Sequence, residues 1–213
     1  MTEGPAFGRV LAALPTPFDE RGRLDGGALD HLVGYMTERA LSGLALLTEV
    51  GEAAFLEGTE RRTLVERVAK RAEGKLPFWV QIGEAWTRSA VEAAQHAEQT
   101  GAAGLLLALP RLPGIGYAEL YRHVDRVARA TSAPLVLVAR PADIVTSLAP
   151  EEQGTLAKHL RLAGVFVAEG GAGSVRSWAR RFEGRGEIWT PSSFELTETA
   201  KAGATGVLCT LAT

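Results

Sequence analysis

"GVFVAEGGAGS", residues 164 to 174, sets a glycine before an unbroken apolar run, closes that run on an acid, and then turns on glycines. An unbroken run of this length fits a strand covered on both faces. Immediately afterwards Val175, Trp178, Ala179 and Phe182 recur at i, i+3, i+4 and i+7, the spacing of one helical face. The stretch therefore reads as a strand, a tight turn and a helix, with Glu169 at the end of the strand.

The same unit recurs along the chain. Apolar runs bounded by turn signals stand at "RVLAAL" (9–14), "GLALL" (43–47), "PFWVQIG" (77–83), "GLLLAL" (104–109), "PLVLVA" (134–139), "GVFVA" (164–168), "EIW" (187–189) and "GVLCTL" (206–211). Helical spacing separates them, as in Leu29, Leu32, Val33 and Met36. Gly43, Gly104, Gly164 and Gly206 each open a strand, and the first three are 61 (104 − 43) and 60 (164 − 104) residues apart; Pro77 and Pro134 open two others. A repeated two-strand, two-helix unit implies a parallel sheet under helices, and eight such strands predict an α/β protein closed as a (β/α)8 TIM barrel. The rival, an open doubly wound sheet, calls for a glycine-rich phosphate turn after its first strand. "LPTPFDERG" (14–22) is not one.

With 213 residues, 46% of them apolar, and no linker-like segment, residues 1–213 are expected to form a single domain. A net charge of −2, with both signs interspersed, offers no field for nucleic acid or an anionic membrane surface. "MTEGPAFGRV" lacks a basic start followed by an apolar run, and no later apolar run is of spanning length, so a cytoplasmic location is expected. Cys209 lies in an apolar run and reads as packing.

Five stretches carry a family resemblance: "ALPTPFDERGRLD" (13–25), "TEVGEAAFLEGTERR" (48–62), "LALPRL" (107–112), "AELYRHV" (118–124) and "GVFVAEGGAG" (164–173). In order and spacing they resemble the dihydrodipicolinate synthase and N-acetylneuraminate lyase family of Schiff-base aldolases. Thr16-Pro17-Phe18, Gly51-Glu52 and Glu60-Arg61 match its signatures residue for residue. The resemblance implies a barrel that condenses or cleaves 2-oxo acids through an imine between pyruvate and a lysine at the end of the sixth strand, with no cofactor. Here that lysine's place falls on Glu169, or on Ala168 if the alignment slips by one residue. The family's Gly-Thr-Thr-Gly-Glu loop becomes Thr48-Glu49-Val50-Gly51-Glu52, and the place of its proton-shuttling tyrosine falls on Leu112. An imine needs a nucleophilic amine, which a carboxylate cannot replace. The four lysines, Lys70, Lys75, Lys158 and Lys201, all map away from the strand ends.

In such a barrel the loops after the strands form the active-site face. Strand-end charges there are Glu49, Glu84, Arg111, Arg140 and Glu169, with Thr16 after the first strand. Three arrangements suit them. Glu84 with Arg111 and Arg140 with Glu169 make ion pairs that fill the mouth, the arrangement favoured because buried carboxylates are tolerated when paired. Alternatively, Arg111 and Arg140 form a fork for a small carboxylate or phosphate. In the third, Glu49, Glu84 and Glu169 hold a hard divalent metal, which the arginines oppose. Glu169 is the candidate base for any lysine-free chemistry. His31, His96, His123 and His159 fall in helical segments without metal spacing, and Glu52 reads as a brace for its own loop.

The family continues past its eighth strand with another helix and a helical region. For a chain ending at Thr213, the groove between strands eight and one is expected to leave Val207 and Leu208, or their neighbours facing outward, without cover. A homo-oligomer or sister subunit would supply it, or else Phe7 folding across the seam.

Overall fold

The computed structural model describes residues 9–39, 41–83, 86–110, 114–140, 148–169, 171–191 and 195–209. In chain order the elements are β1 (Arg9–Ala13), α1 (Gly26–Thr37), β2 (Gly43–Leu46), a 3-10 turn (Ala53–Phe55), α2 (Gly58–Ala72), β3 (Phe78–Ile82), α3 (Thr87–Gln99) and β4 (Gly104–Ala108). There follow α4 (Tyr117–Arg129), β5 (Leu135–Ala139), α5 (Pro150–Ala157), β6 (Leu162–Val167), α6 (Gly171–Phe182), β7 (Glu187–Thr190), α7 (Leu196–Lys201) and β8 (Gly206–Cys209). The strands close in sequence order, every pair is parallel, and β8 returns to β1 through the register Val10 with Val207. The predicted eight-stranded barrel is the observed one. Among the described residues no α-helix follows β8, and no helix is long and apolar enough to cross a membrane.

Local chemistry sets the helix ends. The Asp25 carboxylate accepts the Ala28 N–H at 2.9 Å and caps α1. On α2, Glu60 in the first turn accepts the Glu57 N–H at 3.0 Å, while Lys70 and Arg71 occupy the last turn, each charge opposing the helix dipole end beside it. Pro150 opens α5, where it has no N–H to lose.

Two apolar layers result. Between strands and helices lie Leu29, Val33, Met36, Val175, Trp178 and Phe182, as the helical spacing predicts. Inside the barrel, Trp79 and Trp189 meet edge to face with ring centroids 4.8 Å apart, beside Leu106, Val136 and Phe166. The strand-opening glycines follow from this filling. A Cβ on Gly104 would enter the Trp79 ring, and one on Gly206 would lie 2.8 Å from Trp189 Cδ1. At Gly43 and Gly164 the obstacle is instead the neighbouring backbone, the Pro77 and Glu187 carbonyls.

Two expectations change and one holds. Leu208 faces the barrel interior, and Val207 is only 3% exposed, so Val207 is covered within the chain; Phe7 lies outside the described residues. His159 sits in the turn between α5 and β6, where Nε2 faces Asp125 Oδ1 at 3.1 Å. Cys209 is buried, as expected.

Candidate functional site at the barrel mouth

The loop after β2 builds one wall of the mouth. It is bracketed by two left-handed residues, Leu47 at φ 58° and Glu52 at φ 50°, and such a conformation in a leucine is strained. The first of these turns the chain over the barrel so that Thr48 and Glu49 line the cavity. The loop is anchored from below. The Thr16 hydroxyl donates to the Gly51 carbonyl at 2.6 Å, and a Cβ on Gly51 would lie 2.9 Å from the Leu14 carbonyl, so this crossing requires glycine. Arg61 Nε donates to the Ala53 and Leu56 carbonyls at 3.1 and 3.2 Å, and the Glu60 carboxylate accepts the Leu24 N–H at 3.2 Å. The bracing expected of Glu52 is thus done by Glu60 and Arg61. Glu52 itself is exposed and lines the cavity. Thr16, placed at the mouth in the sequence reading, is buried and joins the first two βα loops.

Arg140 follows β5 directly and points over the mouth, its side chain 15% exposed. Its guanidinium closes on the Glu49 carboxylate, which is 57% exposed. That pairing replaces the expected one with Glu169. Glu169 is exposed, and no ion pair joins it to Arg140 among the described residues. Glu84, Arg111 and Leu112 lie outside the described residues, so the Glu84–Arg111 pair and the two-arginine fork do too. Among the described residues no three carboxylate, histidine or cysteine side chains gather as metal ligands.

At the end of β6, alternation assigns the faces. Phe166 belongs to the barrel interior, Val165 and Val167 to the helix-facing layer, and Ala168 returns to the interior cluster. The Ala168 N–H donates to the Ala139 carbonyl at 3.0 Å, carrying the β5 pairing one residue past the strand. The side chain presented inward is therefore the methyl of Ala168, and Glu169 faces solvent. Lys75, Lys158 and Lys201 pair with Glu73, Glu183 and Glu198 on the outer surface, and Lys70 is exposed on α2.

The mouth opens into a cavity of about 970 Å³. Two of its lining side chains were not among the candidate residues read from the sequence. Thr48 is 3% exposed and Gln81 shares the inward parity of Trp79; Thr48 Oγ1 and Gln81 Oε1 are both buried and hydrogen-bond to no protein group. A buried polar atom in that condition costs about 1–3 kcal/mol, so both favour a polar guest. Strand periodicity alone could have flagged Gln81 as the lone polar residue of "PFWVQIG".

A model of the Dihydrodipicolinate synthetase family matches residues 6–212. The 4-hydroxy-tetrahydrodipicolinate synthase of Brucella abortus biovar 1 is 34% identical over 161 residues, 75% of this chain and 55% of that protein. That of Acidothermus cellulolyticus is 34% identical over 164 residues, 77% of this chain and 53% of the relative. The chain thus spans about half the length of the curated relatives it matches. Among solved structures, the 4-hydroxy-tetrahydrodipicolinate synthase from Methylacidiphilum fumariolicum SolV superposes with a TM-score of 0.83 at 26% identity, covering 94% of this chain and 67% of its own. Ruminococcus gnavus sialic acid aldolase shares the fold, with a TM-score of 0.87 at 18% identity over 96% of this chain and 68% of its own.

Proposed function

The chain belongs to the dihydrodipicolinate synthetase family, and on that footing we propose that its barrel mouth binds a small carboxylate or phosphate without imine chemistry. The observation that carries this reading is the methyl group of Ala168 at the inward-facing end of β6. Imine formation with a 2-oxo acid needs an uncharged amine within reach of the carbonyl carbon, and none of the four lysines lines the cavity. An anion-binding group is present in Arg140, whose planar guanidinium suits a carboxylate. One of its partners, Glu49, is more than half exposed, which lets that carboxylate swing into solvent when an anion enters.

Incubation with pyruvate and borohydride tests the chemistry: the intact mass stays unchanged, whereas a stoichiometric reduced adduct would overturn the reading. Calorimetric titration with small carboxylates and with inorganic phosphate tests the binding, which Arg140→Met should abolish. The alternative, a lysine-free enzyme with Glu169 as base, asks for a carboxylate in the cavity wall. Glu169 is not among the lining residues. A subunit role no longer has an exposed seam to support it; what supports it instead is the exposure of Phe55 and Trp86, 77% and 74%, in the loops after β2 and β3. Sedimentation at micromolar concentration tests this, and a clean monomer rejects self-association.

A further inference from the structure

The cavity is too large and too divided for a three-carbon acid. At about 30 Å³ per heavy atom, water's share of the liquid, a six-heavy-atom acid takes roughly 180 Å³, against a cavity of about 970 Å³. The volume is at the upper end of what drug-sized ligands occupy.

Its lining has two chemistries. At the barrel mouth are Thr48, Glu49, Gln81 and Arg140. The cavity also takes in Ile82 and Val80 on the helix-facing side of β3, so it passes over the strand ends and descends outside the barrel. There it occupies the groove between α2 and α3. The floor of the groove is Val65, Ala93, Ala97 and Leu109. Above it the helices are bridged by His96 Nε2 and Glu66 Oε1 at 3.0 Å. Of the charged residues along it, Arg61 holds the Ala53 and Leu56 carbonyls, Glu92 lies 3.8 Å from Arg88, and Glu52 and Arg62 are exposed at the rim. A hydrocarbon portion suits such a floor, while the buried, unpartnered Thr48 Oγ1 and Gln81 Oε1 call for polar atoms at the inner end.

We propose that the ligand is an elongated carboxylic acid, its head at Arg140, Thr48 and Gln81 at the barrel mouth and its apolar tail in the α2–α3 groove. The proposal rests on the anion-binding reading for the head and adds the tail. An acid of roughly six to ten carbons fills a third or so of the volume at the same 30 Å³ per heavy atom.

The test is calorimetry of the whole chain with straight-chain acids from acetate to decanoate, and with pyruvate, on the wild type, Arg140→Met and Ala93→Trp. Ala93 is only half-buried on α3, so the indole fills the groove from a tolerant position. Affinity is expected to rise about fourfold per methylene, the equivalent of roughly 0.8 kcal/mol per buried CH₂, until the groove is full. Ala93→Trp should flatten that rise and leave pyruvate binding unchanged. Equal affinity for short and long acids, or a chain-length series unchanged by Ala93→Trp, overturns the tail while sparing the anion site. A series that Ala93→Trp flattens but Arg140→Met does not affect overturns the head, and with it the anion-binding reading. No binding of any acid overturns both.

Discussion

Arg140 at the end of β5 and Glu49 in the loop after β2 pair across the mouth, spanning the positions of β3 and β4. The loop residue thus stands where an incoming anion would bind, and the free protein carries its own competing carboxylate. Glu49→Gln removes that competition and keeps the side chain's size. Small-carboxylate affinity should rise by up to about fivefold, since a partly exposed pair is typically worth about 0.2–1 kcal/mol. Unfolding free energy should fall by less than about 1 kcal/mol. Titration of the variant checks both points; unchanged or weaker binding means that Glu49 does not occupy the anion's position.

Ala168 and Glu169 are neighbours that face opposite ways, and lysine substitution separates them. Ala168→Lys plants an amine inside the barrel, one residue across from Arg140, whose positive charge favours the neutral, nucleophilic amine. Glu169→Lys plants it in solvent. After pyruvate and borohydride, intact-mass measurement should find a stoichiometric adduct on the first variant and none on the second. The reverse result would restore Glu169 as the inward position.

Strand placement was legible because the runs are largely apolar and most are opened by glycine or proline; "GLALL", "PLVLVA" and "GVFVA" all fall on observed strands. That same uniformity hid which way a side chain faces. In a barrel covered on both sides, "GVFVAE" shows no polar alternation, so Ala168 and Glu169 exchanged roles in the sequence reading. Charge pairing at the mouth was illegible for a different reason. Glu49 reaches Arg140 because Leu47 takes a left-handed turn, and nothing in a leucine announces a positive φ. The glycine repeat was visible, but its causes, the Trp79 and Trp189 rings at Gly104 and Gly206 and the neighbouring backbone at Gly43 and Gly164, needed the strand register.

That cause can be measured. Gly104→Ala drives a methyl into the Trp79 ring inside a filled barrel and should cost about 1–3 kcal/mol of stability, the usual penalty of overpacking. Adding Trp79→Phe should make the two changes markedly less than additive, because the smaller ring vacates the space. Gly58→Ala, at the start of α2 with no atom within 4 Å of the new Cβ, should be neutral or stabilising by up to about 1 kcal/mol. Urea denaturation of the four proteins decides it, and additive losses would remove the ring contact as the reason for glycine.

His123 gives the fold a pH dependence outside the site. It is 4% exposed on the face of α4 that meets α3, with Nδ1 3.0 Å from Thr87 Oγ1 and Nε2 buried without a protein partner. Burial disfavours the charged ring and holds its pKa below the ordinary 6.5. Between the folded and unfolded pKa values the unfolded chain binds a proton that the folded chain refuses, so stability rises with pH there. The contribution is complete above about pH 6.5 and is lost as pH falls below it. His123→Gln can keep a hydrogen bond to Thr87 but cannot titrate. Urea midpoints at pH 7.5 and 5.5 should therefore differ less in the variant than in the wild type. The depressed Asp125 pKa, set first by the Arg129 side-chain hydrogen bond and then by His159, acts below that carboxyl's ordinary 3.8 and leaves this window clear. An equal or larger difference in the variant would assign the slope to other groups.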